Sequence, residues 1–128
     1  MSQENVEIVR SICAPWEHGD FRFTEWADEN IEFVRADKMR ATGIEEMGAL
    51  WRDWLAAFDE FASASEEFID AGDQVLVLVR FRGRGKGSGA PAQDFAGASL
   101  FTLRDRSVVG LALYEDVEEA RKDAGLAE

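Results

Sequence analysis

The sequence predicts an α+β domain, with helices laid on one face of a curved, mostly antiparallel sheet. Two amphipathic helical patterns occupy the first half of the chain, and a run of strand patterns follows from Phe61 to Tyr114. Turn signals at Phe68–Asp73 and Leu103–Val108 divide that run into a meander. Helices first and a meander last must pack helix stripes against one sheet face, with a cavity between the layers.

The first helix is expected over about Gln3–Glu17. Val6, Val9, Ile12, Cys13 and Trp16 recur at spacings of three and four and form one apolar stripe. Ser2 is a plausible N-cap. Pro15 lacks a backbone donor and loosens the last turn, and Gly19 then ends the helix. A short second helix is expected over Phe21–Trp26, a turn at Asp28–Asn30, a short strand at Ile31–Arg35 and a loop at Ala36–Thr42. The third helix, Ile44–Phe58, carries a stripe of Met47, Leu50, Trp51, Trp54, Leu55 and Phe58. Thr42 can cap it, and Glu45 and Glu46 suit its positive end.

Four strands are expected at about Phe61–Ile69, Gln74–Arg84, Gln93–Leu103 and Ser107–Tyr114. In the second of these, Val75, Val77, Val79 and Phe81 alternate with Leu76, Leu78, Arg80 and Arg82. Both faces begin apolar, so the start of that strand is covered on two sides. Gly83–Pro91 reads as a glycine-rich hairpin tip. Its glycines and Lys86 lack the spacing of a phosphate loop and precede a strand rather than a helix. A last helix spans about Val117–Ala124 and ends at Gly125.

A chain of 128 residues with 46% hydrophobic content forms one domain, residues 1–128, with an ample core. The net charge of −12 opposes nucleic acid and anionic membranes as partners. No apolar run reaches the length of a membrane span, and polar Met1–Asn5 is unlike a signal peptide, so a cytoplasmic location is expected. Cys13 has no partner for a disulfide and reads as packed core. With one histidine, His18, and no cysteine cluster, neither metal nor cofactor is expected, and His18 itself reads as a capping or surface residue.

Several segments carry a family resemblance when taken in order. They are His18-Gly19-Asp20-Phe21, Trp26-Ala27-Asp28-Glu29-Asn30, Thr42-Gly43-Ile44-Glu45-Glu46, Phe68–Asp73, Leu103–Val109 and Tyr114-Glu115-Asp116. Spread over nearly the whole chain, they resemble the nuclear transport factor 2-like superfamily, and within it the SnoaL-like branch related to polyketide cyclases and ketosteroid isomerases. The resemblance implies a cone-shaped α+β barrel with a pocket between helices and sheet, and a homodimer through the sheet's outer face. It does not bring the isomerase chemistry with it. That chemistry uses a carboxylate base with a tyrosine and a protonated aspartate as oxyanion donors. By ungapped matching these fall on Val34, Ile12 and Ser99, and two further family tyrosines fall on Trp26 and Trp51.

The candidate site follows from that placement. Phe95, Gly97, Ser99, Phe101 and Leu103 share the strand face that the resemblance turns into the cone. Ser99 either orients a ligand oxygen or is a small core serine bonded to backbone. Glu32 shares a face with Val34 and is the candidate acid or base if it is buried; otherwise it is a solvated rim carboxylate. Arg35 falls on the opposite face, as a surface ion-pair residue or an anion anchor. Trp26, Val34, Trp51, Trp54, Leu55 and Phe101 are the expected pocket lining, suited to a small hydrophobic molecule. The basic stripe Arg80, Arg82, Arg84 and Lys86 is expected to pair with carboxylates on the outer face or on a partner. Ala96, Ala98, Leu100, Gly110 and Ala112 make a smooth outer face for a second copy, unless the C-terminal helix covers it. Three functional readings stay open. They are a cofactor-free isomerase, cyclase or hydrolase using Glu32 and Ser99, a non-catalytic binder, and a dimerisation module with a filled core.

Overall fold

The computed structural model describes residues 2–22, 25–87 and 93–126. Helix α1 (Ser2–Cys13) buries Val9, Ile12 and Cys13. The chain then tightens into a 3₁₀ turn, Ala14–His18, with Pro15 in its opening positions. Proline cannot donate to the preceding α turn, which is why α1 stops short of the expected Glu17. Gly19, at φ 77°, closes the turn by donating to the Trp16 carbonyl. The capping role expected of Ser2 lies outside the described side chains. Phe21, Arg22, Glu25 and Trp26 form no helix, and the remainder of the expected second helix lies outside the described residues.

Strand β1 (Ala27–Val34) is longer than expected and absorbs the Asp28–Asn30 turn. The turn chemistry survives within it: Asn30 N donates to Asp28 Oδ2 at 2.9 Å, and the pairing register shifts between Ala27 and Glu32. The expected loop at Ala36–Thr42 contains a strand, β2 (Arg40–Thr42), joined to β1 by a turn with Lys38 at φ 75°. Helix α2 (Ile44–Leu55) buries Met47, Gly48 and Trp51. It ends before Phe58, which opens the next strand while its ring stays 5.7 Å from Trp54. Gly43, not Thr42, is the N-cap; Thr42 instead donates its N–H to the Glu46 carboxylate at 3.0 Å. The Glu46 side chain thus reaches back past the N-cap to the residue before it, while the Gly43 N–H goes to the Ile31 carbonyl.

The meander follows as β3 (Phe58–Ala71), β4 (Gln74–Gly85), β5 (Gln93–Arg104) and β6 (Ser107–Tyr114), with α3 (Val117–Asp123) last. The strands form one open sheet in the order β2-β1-β6-β5-β4-β3, antiparallel except for β1 with β6. Part of the glycine-rich tip between β4 and β5 lies outside the described residues. Arg80, Arg82 and Arg84 pair along the outer face with Glu66, Asp94 and Glu60, as their spacing suggested.

The sheet separates two cores. The inner one joins α1, the 3₁₀ turn and α2 to the concave face through Ile31, Phe33, Val77, Phe101 and Leu111. The outer one is Leu76, Ala98, Leu100, Tyr114 and Ala120 beneath α3. The smooth outer face is therefore not open at Ala98 and Leu100, because the chain's own helix covers it. Asp116 caps α3 by accepting from Glu118 N, and Tyr114 OH donates to Asp123 at 2.7 Å. Among the described residues, no helix is long and apolar enough to cross a membrane.

Candidate functional site

Curvature of the sheet leaves a recess between α2, the 3₁₀ turn and the concave strands. Its walls are almost wholly apolar: Trp16, Phe33, Trp51, Phe61 and Phe81 are among the rings that face it. The rings pack on one another, with centroids 5.2 Å apart for Trp16–Trp51, 5.4 Å for Phe33–Trp51 and 5.6 Å for Phe61–Phe81. The free space is about 20 Å³, roughly what one water molecule needs. An organic ligand must therefore displace rings at the rim. Phe21, Trp54, Phe61 and Phe95 line the recess and are only half-buried, which makes them the parts able to move.

Polar groups are few. Arg35 lines the recess and is 7% exposed. It follows β1, where Ile31 and Phe33 are buried and Glu32 is exposed. The inward set is thus 31, 33 and 35, whereas matching at Val34 implied the even positions. A strand has a period of two, so this one-residue difference exchanges every side chain between faces. Glu32 and Val34 consequently leave the recess: Val34 is half-buried, and Glu32 is exposed and accepts from Thr42 Oγ1 at 3.2 Å. The burial that would have tuned Glu32 as an acid or base is missing.

Arg35 takes the opposite course and carries a dense set of bonds. Nε and Nη2 hold the Asp37 carboxylate at 3.0 and 2.7 Å, and Nη1 donates to Asp53 Oδ2 at 2.9 Å and to the Leu50 carbonyl at 2.8 Å. The guanidinium carbon lies 5.7 Å from the Trp54 ring. The forked bond to Asp37 raises the Arg35 pKa further above its already high value, so this cation is permanent. The same bond lowers Asp37 to about 2.

Ser63, on β3 opposite Phe81, also lines the recess and is 2% exposed, and its Oγ has no partner among the described residues. Glu115, just past β6, is an exposed carboxylate at the mouth. Cys13 lies in the inner core, and burial pushes its thiol up to about 12, which keeps it neutral and unreactive.

Of the six residues expected to line a pocket, Trp51 and Trp54 do so. Trp26 lies outside the lining and is half-buried beside a separate surface cleft, its ring 6.2 Å from both Trp16 and Phe101, and its Nε1 donates to the Arg22 carbonyl. Phe101 is fully buried core, and Leu55 packs against the same core. Ser99 is fully buried between Val77 and Leu113 in the sheet, outside the lining, and its Oγ has no partner among the described residues. His18 is exposed at the end of the 3₁₀ turn. No group of three or more metal-ligating side chains occurs among the described residues.

Comparison with known proteins agrees with this architecture. The family model of the SnoaL-like domain matches residues 9–111. A SnoaL-like protein of Jannaschia sp. CCS1, provisionally called a polyketide cyclase, shares 23% identity over 99% of this chain and 94% of its own, with a TM-score of 0.77. A Catenulispora acidiphila DSM 44928 protein with a ketosteroid isomerase-like fold, crystallised with trimethylamine, shares 20% identity over 94% of this chain and 93% of its own, at a TM-score of 0.71. An epoxide hydrolase of M. tuberculosis shares 16% identity over 94% and 89%, at a TM-score of 0.70. No curated protein matches the sequence significantly. At these identities the solved structures speak for the fold alone, while the family match spans most of the chain: the protein belongs to the SnoaL-like domain family, on the cone-type α+β fold of nuclear transport factor 2-like proteins.

Proposed function

We propose that the chain binds a small hydrophobic molecule in the inner recess, with the half-buried rings at its rim opening to admit it. One observation carries this reading. The recess is lined by aromatic rings, yet it holds a buried hydroxyl without a partner. A buried unsatisfied polar group costs about 1–3 kcal/mol. A ligand oxygen in the recess would supply the missing partner and remove that cost. The fold's use in a relative named as an epoxide hydrolase supports small-molecule chemistry in such a recess without naming the reaction here.

A catalytic reading rests on Glu115, the one carboxylate among the lining residues. On that reading Glu115 would take a proton from carbon next to a ligand carbonyl; Glu32, on the outer side of β1, does not face the recess.

The test is calorimetric melting with single-ring apolar compounds. Binding to the folded state raises the melting temperature. The rise is larger in Trp54→Ala, where one ring need no longer move. No rise in either protein, both folded, contradicts the binding reading. For catalysis, exchange of a bound ketone's α-protons into deuterated water is followed by NMR. Exchange lost in Glu115→Gln, with binding kept, supports the enzyme; no exchange in the unmodified protein leaves a binder.

A further inference from the structure

We infer that Arg35 and Ser63 together read a single hydrogen-bond-accepting oxygen on a neutral ligand, such as the carbonyl of a small aromatic or alicyclic ketone or quinone. The inference rests on the binding reading above and narrows it to a ligand class.

A guanidinium has five N–H donors. Asp37, Asp53 and Leu50 take four from Arg35, and the second hydrogen on Nη2 has no acceptor among the described residues. The Ser63 hydroxyl is a buried donor on the same recess that has no partner among the described residues. The two residues lie far apart in the sheet, Arg35 just beyond β1 and Ser63 on β3, with β6, β5 and β4 between those strands. Only the curvature of the sheet brings them to one recess. Both can donate, which suits an acceptor and not a cation.

Charge decides between a neutral and an anionic acceptor. Arg35 already faces the carboxylates of Asp37 and Asp53, and Glu115 adds a third at the mouth. A ligand carboxylate would be the fourth negative group around one positive charge. A carbonyl oxygen takes both hydrogen bonds without that repulsion. The apolar remainder of the ligand meets Trp51, Phe33 and Phe81.

Three planar compounds of matched shape test this: α-methylstyrene, acetophenone and benzoate, each a benzene ring with three further heavy atoms. Affinities come from ¹H–¹⁵N NMR titration of the full chain at neutral pH. Acetophenone should bind at least about thirtyfold tighter than α-methylstyrene, the size of effect expected for hydrogen bonds to a charged and a neutral donor together. Benzoate should bind weakest. Ser63→Ala should cut the ketone preference several-fold and leave α-methylstyrene unchanged. It should melt no lower than the unmodified protein, because the lost hydroxyl has no partner. Equal binding of ketone and alkene, an unchanged preference in Ser63→Ala, or benzoate as the tightest ligand overturns the inference. If α-methylstyrene binds and the ketone gains nothing, this inference falls and the pocket reading stands. If none of the three binds, the pocket reading fails and takes this inference with it.

Discussion

At Arg35 the side-chain alternation of β1 decides which groups face the recess. Alternation of Ile31 and Phe33 with Glu32 already points odd positions inward and would have placed Arg35 in the recess. Ungapped matching to a family base position favoured Val34, and one residue of offset turned the strand over. Ser63 was harder to see, because Phe61-Ala62-Ser63-Ala64-Ser65 mixes small residues on both faces and gives no clear period. The Arg35–Asp37 pair has a measurable consequence. Asp37 titrates at about 2 when folded, against an ordinary carboxylate value near 4. A lowered folded pKa adds stability above the unfolded value, and that stability is lost as pH falls through the folded one. Urea midpoints measured from pH 5 to pH 2 should therefore fall more steeply for the unmodified protein than for Asp37→Asn. Asp37 is 44% exposed, so solvent screening holds the difference to about 1 kcal/mol or less. Parallel curves would mean that the pair adds nothing to stability.

At the scale of elements, the long periodic segments were legible and the short ones were not. Strand β4 and helix α2 announce themselves by sustained alternation or by a stripe, and turn signals at Phe68–Asp73 and Leu103–Val108 set off the other meander strands. Strand β2 has three residues and one inward side chain, Ala41, too few for a pattern, and it exists because it pairs with the edge of β1. Asp28–Asn30 has turn chemistry that the sheet accommodates as an irregularity inside a strand. Strand β5 carries a sharper constraint that period alone does not show. A Cβ on Gly97 would lie 2.4 Å from Phe81 Cε2 and 2.7 Å from the Tyr114 carbonyl oxygen. The ring can shift, but the backbone oxygen is held by the sheet. Gly97→Ala should therefore cost about 1–3 kcal/mol in urea unfolding, as overpacking of a well-filled core does. Unchanged stability would mean that β5 and β6 can separate locally without penalty.

The whole molecule follows from one open sheet covered on both faces. Helices before the meander fill the concave side, and the C-terminal helix takes part of the convex side. The order of elements and the two-sided start of β4 could be read directly, since Leu76 and Val77 are both buried. Where α3 packs could not be read, because a seven-residue helix with one buried residue, Ala120, carries little directional pattern. The rings that shape the recess come from distant segments, so their convergence is a property of curvature and not of any motif. The proposed function requires this recess to open to a small apolar molecule. The indole N–H signals of Trp16, Trp26, Trp51 and Trp54, assigned by single Trp→Phe substitutions and titrated with acetophenone, test it most directly. Saturable shifts are expected at Trp51 and Trp54, while Trp26, outside the lining, stays still. Signals that do not move up to the solubility limit, or Trp26 moving in step with the others, would contradict it.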